Sequence, residues 1–151
     1  MDVSARINGM VSDVQGLSNL IEGWTKEACE AHRDEIVQLN RDRLDKGLSH
    51  EGYEIWPSYA PSTIKYKIRR GAPFDRVTLR DYGNFYRTLA VVFTAKEFHV
   101  VSGDPDFDKV EWLQMHYGNQ IYGFTEDDLE WISIALISDE VAQKVHDYVK
   151  R

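Results

Sequence analysis

From Leu17 to about Lys46 the chain follows one pattern. Leu17, Leu20, Ile21, Trp24, Ala28, Ala31, Ile36 and Leu39 recur at three- and four-residue spacing, the mark of an amphipathic helix. Acids and bases alternate on the other side, as in "KEACEAHRDEIVQLNRDRLDKG", which suits a solvated face. Ser18 or Asn19 can cap the start, and Gly47 suits the position just past the end. About 28 residues rising 1.5 Å each make a rod of roughly 42 Å. That is long for a chain of 151 residues. Ahead of it, Val3, Ile7, Met10, Val11 and Val14 fit a helical stripe loosely, with Gly9 and Gly16 interrupting it. Residues 1–16 therefore read as an arm that orders against a neighbour.

The remainder alternates between loop, short helix and strand. Tyr53 and Ile55 alternate with Glu54 until Pro57 ends any strand. Pro61 opens a short helix over Ser62 to Arg70, which Gly71 stops. "GAPFDRVTLRDYG" is a loop, followed by one or two helical turns up to Arg87. Leu89, Val91 and Phe93 form one β-rich run, and Phe98, Val100 and Val101 form another. With about three residues between them they predict a hairpin. Lys109 to Tyr117 is a helix closed by Gly118, and "NQIYGF" is extended. Thr125 caps a last helix whose first turn is Glu126, Asp127 and Asp128, the charge an N-terminal dipole favours. It runs through Leu129, Ile132 and Leu136, with a slight break at Ser138, and ends on Val141, Val145, Tyr148 and Val149. The fold class is α+β: long N- and C-terminal helices packed on a small antiparallel sheet, with a long loop carrying a short helix, in a single domain over 1–151.

Charge is unevenly placed. Net charge is −7, yet Ser62 to Arg87 holds seven basic residues against Asp75 and Asp81, so it carries +5 and leaves −12 elsewhere. Trp56, Tyr59, Tyr66, Phe74, Tyr82, Phe85 and Tyr86 interleave with that belt. Aromatics and arginines together are what protein interface cores contain. They also suit single-stranded nucleic acid, but the acidic remainder repels phosphate, so copies of the chain or an acidic partner are favoured. The subunit-contact candidates are Trp56, Tyr59, Lys65, Lys67, Arg69, Arg70, Phe74, Arg76 and Arg80.

No catalytic, metal or cofactor residue is expected. His32, His50, His99, His116 and His146 show no ligand spacing with each other or with Cys29, and metal sites usually need short local spacings. "GDPDFDKVE" begins like a calcium loop at Asp104, but Lys109 and Met115 stand where glycine and glutamate are required. No nucleophile elbow, P-loop or dinucleotide fingerprint occurs. Cys29 reads as a buried thiol, the N-terminus is too polar for a signal peptide, and no apolar run is of membrane-spanning length.

"LRDYGNFYRTLAVVF" resembles the "L-x-x-T-G-x-L-x-x-S" element of tailed-phage virion morphogenesis and tail-completion (neck) proteins, matched at Leu79, Gly83, Phe85 and Thr88. Tyr82 stands where that family usually has threonine. "VEWLQMHYGNQ" is similar to its "Y-A-x-x-H-x-x-G" helix at His116 and Gly118. "QIYGFTEDDLEWI" is similar to its "P-F-L-G-L-S-x-x-D" element through Tyr122, Gly123, Phe124, Thr125 and Asp128, without the usual proline and arginine. The stretch from Gly52 to Asp81 is similar to the family's loop, most like versions encoded by phages of Bacteroidota. The likeness spans roughly Leu17 to Val149.

The resemblance implies a non-enzymatic head–tail connector without cofactor, a structural subunit of a neck or tail ring around the DNA channel. Its localisation would be the virion, after assembly in the host cytoplasm. The implied partners are further copies, in a ring of about six or twelve, together with portal, adaptor or tail proteins. Genomic DNA would pass the lumen without sequence-specific binding, and no membrane is involved. It assigns structural roles to Leu79, Gly83, Phe85, Gly118, Gly123 and Phe124. The alternative from the charge alone is a nucleic-acid-binding regulator or small nuclease that uses residues 65–87 on phosphate.

Overall fold

The computed structural model describes residues 3–94, 97–103 and 107–150. The long helical run is two helices, α1 (Val3–Ala31) and α2 (Arg33–Asp45). Two expectations are corrected here. Gly9 and Gly16 do not interrupt α1, which continues back to Val3, so the expected arm is helical from there; positions 1 and 2 lie outside the described residues. The run also does not pass straight to Lys46. It bends at His32, whose backbone sits at φ −100°, ψ 20°. There the His32 ring contacts Glu35 through Nδ1 at 2.8 Å and Glu140 through Nε2 at 3.4 Å. Periodicity could not show this bend, because both halves keep a helical repeat. Burial does not mark it either: Ala28 and Cys29 before the bend, and Ile36, Val37, Asn40, Arg43 and Leu44 after it, follow one helical spacing. Ala31 and Leu20, expected inside, are exposed.

The α2 terminus follows from Gly47. Its φ of +74° lets Gly47 N–H reach Leu44 O at 2.9 Å and Leu48 N–H reach Arg43 O at 3.1 Å, a paired C-terminal closure that glycine permits without strain. A β-carbon there would meet Arg76 Cβ at 2.8 Å. The chain then makes one isolated antiparallel bridge, Leu48 to Glu54, and a cis Trp56–Pro57 bond.

The short elements fall where the sequence placed them. α3 is Pro61–Arg69 and α4 is Asn84–Thr88. Strands β1 (Leu89–Phe93) and β2 (Phe98–Ser102) pair antiparallel, with Val91 opposite Val100 and Phe93 opposite Phe98. Leu89, Val91 and Val100 point inward, while Ala90, Val92 and His99 point out, the alternation of a sheet covered on one face. α2 and α1 supply that cover. The expected hairpin connection at 95–96 and Asp104, where the calcium-like stretch begins, lie outside the described residues.

α5 (Phe107–Tyr117) leads into a 3-10 turn, Gly118–Ile121. This replaces the extended stretch expected at "NQIYGF" and turns Ile121 fully into the core. α6 (Glu126–Trp131) begins with a capping box in which Thr125 and Asp128 each bond the other's backbone N–H. The helix is not broken at Ser138. It widens into a π-helical stretch over Ile132–Ser138 and continues as α7 (Asp139–Val149). The widened turns keep Ile132 and Leu136 buried, while Leu129, expected inside, is exposed. α7 lies beside the second half of α1, with Tyr148 edge-on to Trp24 at 6.1 Å and Lys144 paired to Glu27 at 2.6 Å. The long terminal helices and small hairpin are the expected α+β arrangement.

Candidate interaction surface

The belt divides into cations held by the fold and cations that face out. Lys67 belongs to the first group. It is 5% exposed, and its ammonium donates to Arg80 O at 2.8 Å while lying 4.8 Å above the Tyr59 ring. As a subunit contact it is therefore corrected: the α3 face that seals the core carries it. Tyr59 is half-buried, and its hydroxyl accepts the backbone N–H groups of Thr78 and Leu79 at 3.0 and 3.1 Å. Arg76 donates to Asp45 O at 2.7 Å and pairs with Asp75. Arg80 pairs with Asp45 at 3.5 Å. Arg70 pairs with Asp81, donates to the Tyr66 hydroxyl oxygen at 2.7 Å, and lies 4.0 Å over the Tyr82 ring. Asp75 and Asp81 are already counted in the +5, so of these pairs only Arg80 with Asp45 lowers it.

Arg87 donates to Asn84 Oδ1, and Lys65 and Arg69 remain. They sit four residues apart on α3 and are exposed. Neither has an ion pair or hydrogen bond among the described residues. Trp56, 71% exposed, Tyr66 and Phe74 are outward aromatics near them in sequence. The loop from which Trp56 projects is fastened rather than loose. Gln120 accepts Trp56 N–H at 3.0 Å, donates to Trp56 O and to Tyr117 O, and its carbonyl takes His50 N–H at 3.1 Å. Nothing in the sequence singled out Gln120, because an amide that joins two loops leaves no local pattern.

Two concavities flank this scaffold. One, of about 470 Å³, lies between α3 and α5 and is walled by Tyr59, Leu79, Trp112, Leu113 and Tyr117, with Asp81 and Lys109 at its edge. Trp112 stacks on His116 at 4.8 Å. The other is a groove of about 1020 Å³ between the end of α2, the 48–53 loop and the start of α6. Asp42, Glu51, Glu126, Asp127 and Asp128 line it, against Lys46 and the buried Arg43. Burial pulls the Arg43 guanidinium down to about 10, and the charge of Asp128 works in the opposite direction, so it stays protonated at neutral pH.

The residues singled out by family likeness are placed in the scaffold. Gly83 takes φ +81° immediately before α4, and Leu79 takes φ +56°. Phe85 is buried beside Tyr122, with ring centroids 6.2 Å apart, and Phe124 packs 5.4 Å from Phe98. Gly118 opens the 3-10 turn with φ +63°, and Gly123 follows it with φ +107°. Cys29 is buried, and burial followed by the charge of Glu30 pushes its thiol up. Among the described residues no group of three or more His, Cys, Asp or Glu could hold a metal ion, and no helix is long and apolar enough to cross a membrane. No family model matches the chain, and no curated protein or solved structure matches it.

Proposed function

We propose that this chain is a structural subunit of a tailed-phage neck or upper tail, closing head-to-tail with copies of itself into a ring around the DNA channel. The observation that carries this reading is charge complementarity between two places on one molecule. The outward edge of α3 presents Lys65 and Arg69, and the groove at the start of α6 presents five carboxylates. A heterologous contact needs two different, matching surfaces on each subunit, and such charges set register and partner choice more than raw affinity. The ordered likeness of the Leu79–Thr88, His116–Gly118 and Tyr122–Asp128 segments to neck proteins points the same way. In a virion the ring would meet portal, adaptor or tail proteins, and DNA would pass through without being read. The in-chain pairing of Arg70, Arg76 and Arg80 leaves few cations for phosphate, which disfavours a nucleic-acid-binding role.

Averaged images and mass spectrometry of purified particles test the reading. The chain is expected at the head–tail vertex in a fixed copy number. Lys65→Glu with Arg69→Glu should prevent incorporation while the subunit keeps its melting temperature, and Glu126→Lys with Asp127→Lys in the same chain should restore it in part. Absence from mature particles overturns the proposal. So does a double α3 variant that incorporates normally, or duplex DNA retained in a gel shift with steep salt dependence.

A further inference from the structure

The first half of α1 carries an apolar seam that the subunit leaves uncovered. From Arg6 to Gly16 every residue is exposed. Within that span Ile7, Met10 and Val14 are 54%, 67% and 68% exposed. Their spacing continues through Leu17, Ile21, Trp24, Ala28 and Ala31 in strict alternation of three and four residues, the heptad repeat of a coiled-coil seam. The later part of the seam is occupied. Trp24 meets Tyr148 and the flanking Glu27 meets Lys144, so α7 runs antiparallel along it and ends near Ile21. The same stripe then continues from Val14 back to Ile7 with no partner among the described residues. A repeat held in register well past its intramolecular partner calls for a second helix on the same line.

We infer that this helix is α1 of a second copy, laid antiparallel over the Ile7–Val14 part of the seam, which α7 does not reach. The flanking charges choose this arrangement. In heptad terms Arg6 and Asp13 both stand at the position just before a seam residue, on one side of the stripe. In an antiparallel pair those positions face each other. Setting Ile7 against Met10 of the second copy brings Arg6 opposite Asp13 of the second copy, and symmetry makes the pair twice. Shifting the overlap by one heptad sets Asp13 against Asp13 of the second copy. A parallel pair sets Arg6 and Asp13 against Val11 and Ser18 of the second copy, so neither charge is answered. Asn8, Ser12, Gln15 and Asn19 keep the outer side polar and solvated. Two short segments bury less than the roughly 1,200 Å² of a standard interface, so the pair is weak, with a dissociation constant of tens of micromolar or higher. This contact is isologous and stops at two copies. It is separate from the α3-to-groove contact and does not depend on the virion reading.

Sedimentation equilibrium of the full chain, from about 10 µM to 1 mM, tests it. The expected result is a monomer–dimer equilibrium that Met10→Glu weakens at least tenfold. Met10 is exposed in the monomer, so that variant should keep the wild-type melting temperature. Arg6→Asp and Asp13→Arg should each weaken association several-fold, and the two together should restore it. In a Cys29→Ser background, Val14→Cys should form no disulfide between copies, because the antiparallel overlap holds those residues about 16 Å apart along the axis. A chain that stays monomeric throughout overturns the proposal and leaves the stripe to a different protein. Association unmoved by Met10→Glu, failure of the charge swap to restore it, or ready Val14→Cys cross-linking also overturns it.

Discussion

The guanidinium of Arg43 and the carbonyl of Ile121 stand 3.1 Å apart although 78 residues separate them in the chain. The same group donates to the carbonyls of Leu48 and Gln120 and to Asn40 Oδ1 at 2.9 Å. One buried side chain thus fastens α2, the 48–53 loop and the 3-10 turn, which between them shape the acidic groove. Arg43→Met keeps the stem but leaves those acceptors without a donor. Unsatisfied buried groups cost about 1–3 kcal/mol each, so a loss of at least about 3 kcal/mol is expected. In a domain of this size that lowers the melting temperature by roughly 6–12 °C. Arg43→Lys should fall between, since one ammonium cannot span the fork. Thermal unfolding of the two variants checks the order; equal melting temperatures for wild type and Arg43→Met would refute the staple.

A second fastening sits on the other side of the long loop. The Tyr59 hydroxyl takes two successive N–H groups, of Thr78 and Leu79, while the Tyr86 hydroxyl donates to Thr78 O at 2.6 Å. These bonds hold Leu79 at φ +56°, a conformation that costs a non-glycine residue on the order of 1 kcal/mol or more. Tyr59→Phe removes the acceptor and keeps the ring, for an expected loss of about 2–4 kcal/mol in urea titration. Amide exchange at Thr78 and Leu79 should accelerate more than at Val91 in the sheet. A general loss of packing would instead raise both together.

The short elements were legible in the sequence because each has its own local stop. Pro61 and Gly71 frame α3, Gly118 closes α5, and Thr125 caps α6, so the three-residue precision of those expectations reflects chemistry within a few residues of each boundary. The bend at His32 was not legible. His32 there meets Glu140, more than a hundred residues away, and no propensity in "EACEAHRDEI" announces the bend. The belt was read as one surface because sequence shows charge but not pairing. Lys67 on α3 and Arg70 just past its end lie three residues apart; one faces the core and the other an aspartate, and only packing separates them from Lys65 and Arg69.

The His32 bridge makes the α1–α2 bend sensitive to pH. The hydrogen bond to Glu35 raises the imidazole above its ordinary value, burial opposes this, and the bond to Glu140 adds to it. A histidine raised on folding contributes stability that is complete below its unfolded value of about 6.5 and is lost as pH rises through the folded value. Cooling the comparison to one residue isolates the effect: wild type should gain melting temperature relative to His32→Gln between pH 8 and pH 6. The ring and its carboxylates are partly solvated, so the gain should be no more than about 2 °C. An identical pH response in both proteins would show that the bridge carries no charge coupling.

Gly9, Gly16 and Gly23 recur every seven residues along α1, on the side away from its apolar seam. A β-carbon at Gly9 or Gly16 would meet nothing within 4 Å, so the monomer gives neither glycine a packing reason. Each costs the helix about 1 kcal/mol relative to alanine. Gly9→Ala with Gly16→Ala should therefore slow amide exchange across residues 8–17 by roughly fivefold or more per site, with little change in the global melting temperature, because this end of α1 frays independently of the core. The same variant should tighten the α1 pairing, since less chain is ordered on association. If helicity rises while association weakens, the glycine side of α1 is itself an approach surface for another helix, and the seam is not the whole of what α1 presents.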